Sequence, residues 1–174
     1  MEGMTVVFDG MVWSSYAQMQ LTTGETSVSD PREAFVGQTN GLCGAARDGA
    51  LFLITGLHTG QVRVQVVLAD VAPELGDWEE VVEVDFYPNG LFASLSGWAS
   101  DPSITFPLAS VNYRARWCAT AMDAGRAQDT ADETNPAPDR YALYLWPAQP
   151  THDTILRRTS EIATYWHDDG FSRV

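Results

Sequence analysis

The chain has no lysine: all ten of its cations are arginine, set against 23 Asp and Glu in 174 residues, for a formal net charge of −13. With a sequence pI near 4.3, direct binding to phosphate backbones or adsorption to anionic membranes is excluded as a leading reading, because both reward basic side chains. A basic protein partner stays compatible with that charge. The missing lysine, beside abundant Ala, Gly and Arg, is the mark of a GC-rich genome rather than of a function. Long apolar runs are also missing, and no segment approaches the roughly 18 to 20 residues that span a bilayer. The N-terminal MEGMTVVFDG lacks the basic residues and apolar run of a secretory signal, so a cytoplasmic protein is expected. Cysteine is scarce too. Cys43 and Cys118 form no CxxC pair and no zinc spacing. Two buried thiols are the simpler expectation, and the sequence leaves open whether they pair.

Hydrophobic residues make up 45% of the chain, enough to build one core in a single domain over 1–174. Period-two alternation runs from about residue 11 to 146. Gln61 to Asp70 sets Val62, Val64, Val66 and Leu68 against Arg63 and Gln65. Trp78 to Tyr87 places Trp78, Val82, Val84 and Phe86 inward and Glu79, Glu83 and Asp85 outward, with Glu80 an exception on the apolar side. Asn112 to Met122 alternates Tyr113, Ala115, Trp117 and Ala119 with Arg114, Arg116, Cys118 and Thr120. Further strands are predicted at 12–22, 50–55, 91–96, 103–106 and 141–146. Asp48-Gly49 and Asn89-Gly90 are each predicted to close a hairpin, and Thr55 to Gly60 is a third tight connection.

The expected fold is therefore mainly β, an antiparallel β-sandwich of about eight strands. Residues 123–140, acidic and proline-containing, read as an exposed, mobile loop. From Asp153 to His167, Ile155, Leu156, Ile162, Ala163 and Trp166 share a helical stripe, which predicts one C-terminal amphipathic helix over about 153–167. Thr151 or Asp153 would cap its start, and His167 would meet the dipole at its end as a cation.

Catalytic motifs are absent. His58, His152 and His167 lie in different elements without metal-ligand or triad spacing, and no phosphate loop or nucleophile elbow occurs. No cofactor, metal or catalytic residue is expected. Glu79 and Glu83 stand roughly 13 Å apart along a strand, too far for a retaining glycosidase pair. Glu80, a carboxylate on an apolar face, should pair with arginine or titrate high.

Charge placement says more. Between Arg63 and Arg114 no cation interrupts Asp70, Glu74, Asp77, Glu79, Glu80, Glu83, Asp85 and Asp101. Asp77, Glu79, Glu83 and Asp85 form the candidate partner-binding stripe, helped by an acidic 129–133 loop. Such a row presents charges about 7 Å apart, as successive phosphates do. The competing reading is a solvated face, or one neutralised by Arg114 and Arg116 on a neighbouring strand.

One succession of segments carries a likeness. Tyr16-x-Gln18-Met19, Gly44-Ala45-Ala46 with Gly49-Ala50-Leu51-Phe52, the 61–68 strand, and the acidic 81–86 strand with Asn89-Gly90-Leu91 occur in order. Ile104-Thr105-Phe106-Pro107, Tyr113-Arg114-Ala115-Arg116-Trp117-Cys118 and Asp139-Arg140-Tyr141-Ala142-Leu143 follow. Over about residues 12–146 this resembles the competence protein J family, inhibitors of a DNA-entry nuclease. The connections at 70–77 and 123–140 are longer here, and the segment from 153 extends beyond the similar part. The resemblance implies a non-enzymatic sandwich that binds a protein. Two readings follow: an acidic protein that inhibits or neutralises a basic partner such as a nuclease or toxin, or a small-ligand module for a carbohydrate-like molecule, using six Trp and six Tyr. Trp13 and Trp98 are the tryptophans that strand alternation does not assign to a core.

Overall fold

In the computed structural model, which describes residues 3–97 and 102–171, eleven strands and three helices follow one another. They are β1 (Met4–Ser14), β2 (Gln18–Thr23), α1 (Pro31–Ala34), β3 (Cys43–Gly44), β4 (Ala50–Ile54), β5 (Gly60–Ala69) and β6 (Glu80–Phe86). Then come β7 (Phe92–Ser96), β8 (Ser103–Pro107), β9 (Tyr113–Thr120), α2 (Met122–Gln128), β10 (Arg140–Pro147), β11 (Thr154–Arg157) and α3 (Glu161–Asp169). Trp98 and Asp101 lie outside the described residues.

The fold is mainly β, with eleven strands rather than eight, in two sheets ordered β1-β5-β10-β9-β6-β11 and β3-β4-β2-β7-β8. One contiguous core takes Val62, Val64, Val84, Trp117 and Leu143 from the first and Met19, Leu21, Leu51 and Leu95 from the second. Burying each aliphatic side chain of this kind contributes roughly 1.5–3 kcal/mol. Trp117 Nε1 donates to Ile54 O at 3.1 Å, joining β9 to β4. Pairing is antiparallel except where β10 lies parallel to β5, Tyr141 opposite Val64 and Leu143 opposite Val66. An all-antiparallel arrangement is thereby corrected. β10 follows a long excursion, so it can enter the sheet in either direction, whereas a hairpin cannot.

Other expectations change as well. The 12–22 strand is two, divided at Tyr16 and Ala17, where the chain leaves one sheet for the other. Asp48-Gly49 does lie in the connection from β3 to β4, which pair as antiparallel neighbours. Asn89-Gly90 closes no hairpin, because β6 and β7 belong to different sheets. Its turn is held from outside, Thr23 Oγ1 accepting from Asn89 N at 2.8 Å. Residues 122–128, expected as loop, form α2. The C-terminal helix is shorter and later than its stripe implied. Residues 154–157 instead complete the edge of the first sheet, Ile155 opposite Val82, and a new helix starts behind Ser160, whose Oγ accepts from Ala163 N at 3.2 Å. Trp78 precedes β6 and is not bound by its alternation. It packs outside the core with Leu75 and Tyr144 against Val81, Cys118 and Ala142.

Candidate functional site

The four stripe acids do not form one open row. Register puts Glu83 opposite Arg116 and Asp85 opposite Arg114. Glu83 accepts from Arg114 Nε at 3.2 Å and from Arg116 Nε at 2.9 Å. Both guanidiniums are buried. Arg114 also donates to His152 O at 2.7 Å, and Arg116 donates to Pro73 O at 2.7 Å while its guanidinium lies 4.9 Å from the Trp146 ring centroid. Asp85 accepts from Thr151 N at 3.1 Å, and Glu79 accepts from Ala121 N at 3.2 Å. Asp77 alone of the four is exposed, the other three being partly buried. Connections on either side of the strand pair thus cover the face that alternation read as outward, and two arginines neutralise its centre.

Glu80 is buried and meets no arginine. Its carboxylate accepts from Thr159 N at 3.0 Å and from Ser160 N at 2.6 Å, just ahead of α3. Burial pushes its carboxyl above the usual range, and the bonds from Thr159 and Ser160 counteract only part of that. Asp153 caps no helix either. It ties 39–40 to the strand ahead of it, accepting from Asn40 N at 2.7 Å and Thr39 N at 2.8 Å. Burial opposes its ionisation, but the bonds from Asn40 and Thr39 prevail and hold its carboxyl low. His167 is a buried neutral imidazole rather than a cation at a helix end. Its Nδ1 accepts from Gly41 N at 2.9 Å, and burial, followed by the nearby Arg158 charge, lowers its pKa to about 4.

Two concavities remain near the 55–60 turn. The first, about 410 Å³, is lined by Met11, Trp13, Gln61 and Pro136 together with Asp132 and Glu133. Met11 is 47% exposed on β1. The acidic loop beside it is shaped by Asp132, which accepts from Thr134 N at 2.8 Å and Asn135 N at 2.9 Å. Bonds from the Thr134 hydroxyl and from these amides hold the Asp132 carboxyl below its ordinary range.

The second concavity, also about 410 Å³, is lined by Tyr16, Thr55, His58, Arg126, Tyr165 and Trp166, among others. Its frame is built on one buried carboxylate. Asp139 accepts from Leu57 N at 2.9 Å and from the Tyr141 hydroxyl, which itself accepts from Gly56 N at 2.7 Å. Tyr141 stacks on Trp117 with ring centroids 5.0 Å apart. Burial and the adjacent Asp139 charge raise the Tyr141 phenol far above its usual range. Above Asp139 lies α2 at Gly125, where a Cβ would come within 2.4 Å of the Asp139 carboxyl carbon. The same carboxylate therefore seats the turn that carries His58 and the helix that carries Arg126. His58 meets Tyr16 edge to face at 5.3 Å, and its Nδ1 lies 2.8 Å from Thr59 Oγ1. Tyr16 and Ala17 both adopt left-handed backbone, with φ of 55° and 60°.

Sequence reading named His58, Tyr16 and Trp13, and quoted Asp139 and Tyr141 in the family likeness without pairing them, but singled out neither Arg126 nor Tyr165. An acid two residues ahead of a tyrosine at a strand start shares its face, which was the available signal. Glu80 and His58 do not line a common cavity. Among the described residues no cluster of three or more His, Cys, Asp or Glu is placed to hold a metal, and no helix is long and apolar enough to cross a membrane.

No family model and no curated protein matches the sequence. Two solved structures share the fold. ComJ from Bacillus subtilis, described as the inhibitor of the DNA-degrading activity of NucA, superposes with a TM-score of 0.59 at 15% identity, over 83% of this chain and 98% of its own. The product of crocagin biosynthetic gene J superposes with a TM-score of 0.54 at 13% identity, over 84% and 99% respectively. The likeness to the competence protein J family read from the sequence therefore holds, distantly, at the level of the fold.

Proposed function

We propose that this chain is a cytoplasmic, non-enzymatic acidic binding protein, a two-sheet sandwich that inhibits or neutralises a basic protein partner such as a nuclease. The observation that carries the reading is the fold it shares with an inhibitor of a DNA-degrading enzyme, almost all of whose chain is covered. A net charge of −13 supports it, because an acidic inhibitor is steered toward the basic cleft in which a nuclease holds DNA. The contact surface we favour is the concavity at Met11 and Trp13 beside Asp132 and Glu133. There an arginine or lysine could meet carboxylates and an indole face together. Asp77 and Glu79 add to the attracting field, whereas Glu83 and Asp85 serve chiefly to hold β6 to β9.

The test is capture of partners from the native host, followed by titration of each purified partner's activity. Stoichiometric loss of DNA degradation, weakened by the double change D132R/E133R and by added salt, is expected. Recovery of no basic partner, or an affinity indifferent to both charge reversal and salt, would reject the reading.

A further inference from the structure

We infer that the cavity lined by Tyr16, His58, Arg126, Tyr165 and Trp166 binds a small planar anion, its ring against the aromatic walls and its carboxylate or phosphate on Arg126. Arg32, Arg47, Arg63 and Arg158 are paired with Asp30, Glu33, Asp9 and Asp168. Arg114 and Arg116 share Glu83. Arg157 donates to the carbonyls of Gly76 and Trp78, and Arg140 lies over the Trp78 ring. Arg126 is the one described arginine with no carboxylate, carbonyl or ring partner among the described residues. In a chain with 23 acids and ten cations, carboxylates are plentiful, yet no described one lies within ion-pair distance of it. No acid lines this cavity, in contrast to the concavity at Asp132 and Glu133.

A volume of about 410 Å³ falls within the range typical of small-molecule sites. Its walls are aromatic and converge on two nitrogen-bearing side chains, Arg126 and His58. Guanidinium pairs with carboxylate or phosphate through paired N–H donors, and flat rings stack on Tyr and Trp faces.

A two-residue connection with positive φ at both positions ordinarily uses Asn-Gly or Gly-Gly. Here Tyr16 and Ala17 occupy it, and the Tyr16 side chain stays 63% exposed at the cavity. Non-glycine residues held in left-handed backbone concentrate at sites that need a side chain held in place. Local folding alone would be better served by glycine. The chemistry differs from a carbohydrate site, which needs neutral or acidic hydrogen-bonding groups rather than an unpartnered cation.

The experiment titrates the whole chain with AMP and with indole-3-acetate, each beside its neutral counterpart, adenosine and indole-3-acetamide, by calorimetry and by tryptophan fluorescence. At least one anion should saturate with a Kd below about 1 mM, and its neutral counterpart should bind at least about tenfold more weakly. AMP alone binding assigns a phosphate ligand, and indole-3-acetate alone a carboxylate. R126Q should remove the preference for the anion while leaving the unfolding midpoint unchanged, since Arg126 supports nothing else. Y165A should weaken anion and neutral compound alike. Binding of neither anion up to several millimolar, equal binding by R126Q, or occupation of the cavity only by a partner protein's side chain would each overturn the inference. Failure of these tests leaves the basic-partner reading standing, since that reading is carried by the shared fold and tested at Asp132 and Glu133.

Discussion

Across the β9–β6 ladder, Arg116 donates from Nε to Glu83 Oε1 at 2.9 Å, while Arg114 holds the other oxygen of the same carboxylate. With side-chain exposures of 5% for each arginine and 14% for Glu83, the group is close to an internal ion triad. Removing one member of such a set leaves charge buried without compensation, at a cost of about 3–5 kcal/mol. E83A should lower stability by that order in urea denaturation. A loss below about 1 kcal/mol would show the arginines to be satisfied by their carbonyl partners alone.

Gly125 offers a change of sign. Glycine to alanine within a helix ordinarily stabilises by about 1 kcal/mol. Here the added methyl would meet Asp139, so G125A should destabilise instead, by roughly 1–3 kcal/mol as overpacking does. A thermal midpoint at or above that of the wild type would mean that α2 does not rest on that carboxylate.

His167 should make stability depend on pH. Its folded pKa is near 4 against 6.5 in the unfolded chain, so between those values the unfolded state binds a proton that the folded state refuses. The stabilisation is complete above pH 6.5, declines as the pH falls, and is gone below about 4. It amounts to about 3 kcal/mol at most. The difference in urea midpoint between wild type and H167Q should therefore vary across pH 6.5 to 4 and be constant above it. A difference that is flat throughout would show that His167 titrates normally in the fold.

The N-terminus of α3 is held by a side chain of α2 as well as by its own cap. Asp123 in α2 accepts from Glu161 N at 3.0 Å and Ile162 N at 2.9 Å, and Ser160 supplies Oγ to Ala163 N. S160A should cost about 1 kcal/mol, as lost caps do. The double change with D123A should depart from the sum of the single costs, because the two side chains serve one helix turn. Hydrogen exchange at the Glu161 to Ala163 amides reads the effect directly. Unchanged protection in both variants would exclude a capping role.

How far the sequence could be read depended on whether a strand has one wet face. In β5, Val62 and Val64 are buried while Gln61 and Arg63 are exposed, and alternation located it to within a residue. In β9 every residue from Tyr113 to Ala119 is buried, so alternation left a solvated face and neutralisation by Arg114 and Arg116 as equal options, where the structure has an internal ionic layer. Only register could show that they meet Glu83. The C-terminal stripe misled because Ile155 and Leu156 happen to continue, across Ser160, the helical spacing of Ile162 and Trp166. Of the cavity, His58 stood out by its turn, but Tyr16 lay in a predicted strand and Arg126 in a segment expected as loop. Asp139, two residues ahead of Tyr141, carried only the sign that the two share a face.

The parallel strand has a consequence for how the molecule comes into being. β10 lies between β5 and β9, yet it is synthesised after both, so Arg140–Pro147 must insert between two ribbons already made, β1–β5 and β9–β6. Until it does, each ribbon has an unpaired inner edge, and the larger sheet cannot close on the nascent chain. Pairings across such long sequence separations fold slowly. Ribosome-bound chains ending before residue 140 should remain sensitive to protease, and those extended past 171 and clear of the exit tunnel should become resistant. Resistance of the shorter chains would mean that the ribbons assemble without the strand that joins them.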